Sequence, residues 1–250
     1  ARAPLLISMP HVGTVIPPDL QPRYVERALQ VEDTDWHLEP LYAFVRAMGA
    51  GTIVPRHARY VVDLNRPPEN APMYPGVNNT ELCPTRFFSG EPLYLPGQEP
   101  TESEVAQRVT DYWRPYHDAL DGELQRLRTL HGHAVLFDAH SIKSQCPWLF
   151  EGKLPDLNLG TASGASCAPA LRVSLSAARH AARHAPFPFD DTASRRSASS
   201  SGIASATCRV LAETSICSPT PARSRGSGTR STTPRLRGRM TTARCSRRSW

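Results

Sequence analysis

The chain has no run approaching the roughly 18–20 consecutive apolar residues of a membrane-spanning helix, which excludes an integral membrane protein of that kind. Its first ten residues, ARAPLLISMP, lack the charged and extended apolar regions of a secretory signal, so export is not expected. The six cysteines, Cys83, Cys146, Cys167, Cys208, Cys217 and Cys245, form no C-x-x-C pair and no close spacing with histidine, which argues against a structural zinc module. A disulfide framework is not expected in a chain this large without a secretion signal, so reduced thiols in a cytoplasmic protein are the reading.

The last eighty residues lack still more. From Leu171 to Trp250 there is no Lys, Tyr, Asn or Gln, and 24 of the 80 residues are Ser or Thr. The same stretch has 15 arginines against three acids (Asp190, Asp191 and Glu213), a net of +12, whereas Ala1 to Ala170 nets −6. The overall +6 therefore averages two unlike parts. The first part, 1–170, reads as a soluble, mildly acidic enzyme domain. The second, 171–250, shows no sustained helical or strand period and is expected to be irregular. Arginine without lysine is the composition of a GC-rich gene read out of frame, so a frame shift near Leu171 to Ser176 is expected; an authentic basic, disordered extension is the alternative.

What is present is 250 residues with 40% hydrophobic content, enough for a core. Pro4 to Met9 reads as a buried strand, Val31 to Met48 as a helix, and Gly51 to Pro55 and Arg59 to Leu64 as further strands. Thr101 to Leu130 is a helix opened by a Thr101/Glu104 capping box and ended by Gly132. Ala134 to Asp138 is a strand. Alternating strands and helices predict an α/β domain with a mixed, largely parallel sheet flanked by helices. In such sheets ligands gather beyond the carboxyl ends of strands, where His11, Asn65-Arg66 and His140 are expected to fall.

Two imidazoles and a carboxylate with a fourth position open form the usual catalytic zinc arrangement. His11 and His140 supply the imidazoles, and Asp138, two residues before His140, can orient that ring or line the site. The carboxylate comes from elsewhere, with Asp35 preferred from the cluster Glu32-Asp33-Thr34-Asp35. Acids there also suit the first turn of a helix. Arg59 and Arg66 are candidates for binding a substrate carboxylate or polarising a carbonyl.

Together, Pro10-His11-Val12-Gly13, Asp33-Thr34-Asp35-Trp36, Val62-Asp63-Leu64-Asn65-Arg66 and Asp138-Ala139-His140-Ser141 resemble, in order, the N-formylglutamate deformylases. Phe88 to Tyr94 and Tyr112-Trp113-Arg114-Pro115-Tyr116-His117 look like that family too, and the likeness runs from about Pro4 to Ala170. More distantly it resembles the zinc carboxypeptidases and aspartoacylase. By resemblance, His11 and His140 are zinc ligands, Asn65 and Arg66 bind the substrate and Arg59 polarises the scissile carbonyl. The first-ligand motif there is H-x-x-E, and Thr14 departs from it, which leaves Asp35 as the preferred third ligand. The resemblance implies metal-dependent hydrolysis of N-formyl-L-glutamate to formate and L-glutamate, a step of histidine breakdown, with zinc or another divalent ion. The family's general-base glutamate has no clear counterpart beyond residue 170, and Glu213 is the nearest stand-in. The alternatives are a related N-acyl amino acid amidohydrolase, or an inactive chain with a basic, nucleic-acid-binding tail.

Overall fold

A computed structural model describes residues 1–72, 78–154, 157–160, 166–184 and 204–212. All of them belong to one unit, Ala1–Thr214; the second unit, Ser215–Trp250, lies outside the described residues. Five strands form one sheet: β1 (Leu5–Ser8), β2 (Gly51–Ile53), β3 (Val135–Lys143), β4 (Leu157–Gly160) and β5 (Ala204–Ala212), in the order β2-β1-β3-β5-β4. The β1–β2, β1–β3 and β4–β5 pairs are parallel, and β3–β5 is antiparallel. The sheet is thus mixed and largely parallel.

Alternation along β1 and β3 sorts their side chains between two layers. Leu6 and Leu136 lie with Leu127 of the long helix α3 (Arg114–His131) on one face. Ile7 and Ala139 pack with Leu38 and Val45 on the other. There the short helix α1 (Leu38–Leu41) and a 3-10 turn at Ala43–Arg46 form the cover. Helix α4 (Pro169–His184) adds Leu171 and Leu175 beside Val135 and Phe137.

The capping box forms as its sequence requires. Thr101 accepts from the Glu104 N–H while the Glu104 carboxylate takes the Thr101 N–H, opening α2 (Glu102–Arg108). Helix α2 runs into a π-turn over Val109–Trp113 and then into α3. Gly132 ends α3 at φ 78°, a left-handed conformation that glycine adopts without a Cβ penalty.

Several expectations need correction. Val31 to Met48 is not one helix: Val31 and His37 have φ of 45° and 66°, left-handed values that interrupt a right-handed helix on either side of the acidic cluster. Arg59 to Leu64 is a chain of turns rather than a strand. Its β-branched Val61 and Val62 invite the strand reading, but among the described residues no sheet neighbour pairs with the segment, and side chains take its carbonyls. β3 runs on past Asp138 to Lys143, so His140 sits within the strand. Within 171–250, most of α4 and all of β5 are regular; the alanine-rich sequence of α4 suits a helix, and the backbone ladder of β5 is indifferent to composition. The remainder of that stretch lies outside the described residues. Among the described residues, no helix is long and apolar enough to cross a membrane.

Candidate metal centre

Three separate stretches converge above β1 and β3. His11 follows β1 by three residues, and its carbonyl accepts the Asp35 N–H at 3.0 Å, which draws the acidic cluster in. Gly13 permits the next step of the chain: a Cβ there would lie 2.1 Å from the His57 carbonyl oxygen. His140 stands on β3, on the same face as Asp138.

His11, Asp35 and His140 are all buried and can each offer one ligand atom, the three atoms lying within 4.8 Å of one another. The ring centroids of His11 and His140 are 4.8 Å apart. Asp35 Oδ2 lies 3.6 Å from His11 Nδ1 and 3.1 Å from His140 Nδ1. Both rings therefore turn Nδ1 inward. Each turns Nε2 outward to a further carboxylate: Asp63 Oδ1 at 2.7 Å for His11, and Asp138 Oδ2 at 3.2 Å for His140. A carboxylate only accepts, so each Nε2 bears a proton. In His11, where Arg59 Nη1 donates to Nδ1 at 3.4 Å, the inward lone pair is already fixed. A carboxylate behind each imidazole is the arrangement that orients metal-ligating histidines and raises their basicity.

The charges point the same way. Asp35, Asp63 and Asp138 are all buried, and Arg59 is the guanidinium among them, its Nη2 2.5 Å from Asp63 Oδ2. Burial alone would raise all three carboxyls. The hydrogen bonds and charges of His11 and His140 outweigh it at Asp35, the Arg59 and His11 charges at Asp63, and the His140 charge at Asp138, so each is held below the usual carboxylate range. Burial would lower the His140 imidazole, yet the Asp138 charge and hydrogen bond, helped by Asp35, push it up to about 10. Lodged between two carboxylates, His140 holds protons on both nitrogens. A divalent cation at Nδ1 would replace one proton and balance the surplus negative charge, so the donor set fits such an ion.

The irregular segment beside these residues is fixed through its carbonyl oxygens. Tyr24 donates to Tyr60 O, Arg108 to Val61 O, His117 Nε2 to Leu64 O and Trp113 Nε1 to Arg66 O, at 2.9 to 3.1 Å. This places Asp63 behind His11, and the Asn65 side-chain amide 3.3 Å from His140 Nε2. Arg59 borders the centre, its guanidinium also stacked over the Phe88 ring at 4.4 Å. Arg66 turns toward Thr80, donating from Nε to the carbonyl at 3.0 Å and from Nη2 to the hydroxyl at 2.7 Å.

The structure thus brings His11, Asp35, His140, Arg59 and Asn65 into one cluster, with Arg66 on the adjoining turn. Glu213 lies outside the described residues; Ala212 before it pairs with Val135, five residues and roughly 17 Å of strand from His140. Sequence reasoning missed Asp63 as a separate contributor. It also missed Ser8, whose Oγ donates to Asp138 Oδ1 at 2.6 Å, and Tyr116, whose hydroxyl is 2.8 Å from Ser8 Oγ. The signal for Asp63 was its place in the Asp63-Leu64-Asn65-Arg66 string; a lone serine in a strand gave none.

A buried His/Asp/His cluster, each imidazole backed by a carboxylate, is thus a candidate metal centre on an α/β sheet. The chain belongs to the N-formylglutamate amidohydrolase family, whose model matches residues 3–203. It is 48% identical over 176 residues to the N-formylglutamate deformylase of Pseudomonas aeruginosa, covering 70% of this chain and 66% of that protein. It is 49% identical over 170 residues to the enzyme of the same name from Pseudomonas putida, covering 68% and 63%. The chain therefore spans just under two thirds of the length of these relatives. Among solved structures it is similar to an N-formylglutamate amidohydrolase from Ralstonia eutropha JMP134, with a TM-score of 0.53 and 25% identity over 67% of this chain and 65% of that one.

Proposed function

We propose that the site hydrolyses N-formyl-L-glutamate to formate and L-glutamate with a divalent cation, zinc in the first instance, held by His11, Asp35 and His140. The single observation supporting this is the pair of inward Nδ1 atoms sharing Asp35 Oδ2, each ring backed by a buried carboxylate. When bound, such a cation acts as Lewis acid on an amide oxygen and lowers the pKa of water. The chain's own residues do the rest. Asp63 and Asp138 hold the imidazoles in one tautomer. Arg59, beside the cluster, stabilises the charge that builds on the carbonyl oxygen as its carbon becomes tetrahedral. Asn65 and Arg66 bind the substrate's carboxylates, which favours a diacid over a neutral amide. Zinc could give way to another divalent ion, since a His₂-carboxylate set accepts several.

The experiment combines zinc content with formate release from N-formyl-L-glutamate and, in parallel, from N-formyl-L-alanine, with acetate release from N-acetyl-L-glutamate. Stoichiometric zinc and preference for N-formyl-L-glutamate support the reading; faster turnover of the acetyl compound moves the assignment to a related acyl amino acid. His140→Ala abolishes zinc binding and leaves the far-ultraviolet dichroism largely intact; a variant that keeps a full equivalent of zinc refutes the ligand set. Glu213→Gln tests the stand-in for the proton acceptor: loss of turnover with zinc retained assigns it that role, and unchanged turnover removes it.

A further inference from the structure

Behind His140 the polar contacts do not stop at Asp138. Asp138 Oδ2 faces His140 Nε2, Asp138 Oδ1 accepts from Ser8 Oγ at 2.6 Å, and Ser8 Oγ lies 2.8 Å from the Tyr116 hydroxyl. Every member is buried, Ser8 at 2% exposure and Tyr116 at 8%. The direction of the chain is fixed by counting protons. Ser8 has one hydroxyl proton and gives it to Asp138, so Tyr116 must donate to Ser8. A hydrogen bond that receives a donor is itself a better donor, so the Tyr116 proton strengthens the Ser8 bond to Asp138. Burial first of all raises the Tyr116 phenol well above its ordinary value, which keeps that proton in place.

The geometry that delivers Tyr116 has its own cause. Ser8 and Asp138 are direct partners across the β1–β3 pair, so their side chains stand side by side on the α3 face of the sheet. The helix above must present a hydroxyl there while Arg108, Trp113 and His117 reach the carbonyls of Val61, Arg66 and Leu64. At about 100° per residue, an uninterrupted α-helix would set residues 108 and 117 on opposite sides. The π-turn at Val109–Trp113 takes up one extra residue and brings them to within roughly 80° of each other, with Trp113 between them and Tyr116 about 20° beyond Arg108.

We propose that Tyr116 is a positioning residue for His140, acting through Ser8 and Asp138, and that the π-turn exists to place it; this rests on the reading of His140 as a metal ligand. The relay locks the imidazole orientation and holds the Nε2 proton in place, so that a cation would displace the proton at Nδ1 alone.

The test is zinc titration of the metal-stripped full chain and of Tyr116→Phe, Ser8→Ala and the double variant. A direct carboxylate partner of a ligating histidine is typically worth 10–100-fold in affinity; one hydroxyl further out, Tyr116→Phe weakens zinc binding roughly three- to tenfold. In the Ser8→Ala background the same change has no further effect, because its route to His140 through Ser8 is gone. Unaltered affinity in Tyr116→Phe, or an effect that multiplies in full onto Ser8→Ala, overturns the proposal. A second readout needs no metal: the His140 Nε2 proton resonance of the metal-free protein. Tyr116→Phe shifts it when Ser8 is present and not when Ser8 is alanine. If wild-type protein binds no divalent ion, the metal reading fails, and a resonance that Tyr116→Phe leaves in place overturns the relay separately.

Discussion

Asp63→Asn tests how the centre is held together. Asp63 is fully buried and receives three donors: His11 Nε2 at 2.7 Å, Arg59 Nη2 at 2.5 Å and the Asn65 N–H at 2.9 Å. An asparagine of the same shape has one acceptor oxygen and one NH₂. If the oxygen faces His11, the NH₂ meets the Arg59 guanidinium; if it faces Arg59, the NH₂ meets the imidazole Nε2–H. Either way two donors oppose each other, and Arg59 is left as a buried cation without its carboxylate. Breaking a buried pair from one side costs about 3–5 kcal/mol, a large part of the ~5–15 kcal/mol that holds an ordinary domain folded. Losing the carboxylate behind His11 also weakens metal binding by about 10–100-fold, or roughly 1.4–2.7 kcal/mol. Urea denaturation of the metal-free protein measures the first effect, and zinc titration of the folded fraction the second. Because zinc at 100 times its dissociation constant adds about 2.7 kcal/mol of stability, it also rescues the wild type further than the variant at equal concentration. A variant with wild-type urea midpoint and zinc affinity within twofold of wild type would refute the role of Asp63 behind His11.

Arg66→Ala raises KM for N-formyl-L-glutamate by roughly 10–100-fold with kcat little changed, as expected for a lost charge-assisted contact to a substrate carboxylate; steady-state kinetics with an unchanged KM would count against it. Glu104 gives a pH-dependent contribution: the Arg23 hydrogen bond first, then the Thr101 N–H, holds its carboxyl at about 2. Because the folded value is depressed, this stability is fully present above the unfolded carboxylate's range and is lost as pH falls toward 2. Solvent screening limits it to about 1 kcal/mol or less, so the urea midpoints of wild type and Glu104→Gln converge between pH 5 and 2. Resequencing the coding DNA around codons 165 to 180 is expected to reveal a one-base error whose correction restores a Lys- and Tyr-containing carboxyl half; an intact frame would make the arginine-rich stretch authentic.

Much of the sheet was legible because apolar runs such as Pro4 to Met9 and Ala134 to Asp138 report burial directly. The long helix announced its start by Thr101/Glu104 and its end by Gly132, but its π-turn was invisible. Val105, Val109, Tyr112 and Tyr116 fit an unbroken helical period, and only the contacts of Trp113 and His117 reveal the extra residue. His11 and His140 could be named from their expected places at strand ends and Asp35 from the acidic cluster, with the family motifs adding to that reading; nothing in their spacing says that an acidic cluster flanked by left-handed residues will fold onto them. The segment at 59–64 misled for a general reason. β-branched residues favour extended chain wherever a neighbour offers a ladder, and among the described residues this stretch has none.

That stretch has a consequence of its own. Rows of ladder bonds would tie its shape to the sheet alone, whereas Tyr24, Arg108 and His117 each grip one peptide of it from elsewhere and Trp113 grips that of Arg66 just beyond it. Its geometry is therefore adjustable from a distance. Exchanging any of these four clasps would re-aim Asp63 or Asn65 by a fraction of an ångström, retuning the centre while leaving every residue in it unaltered.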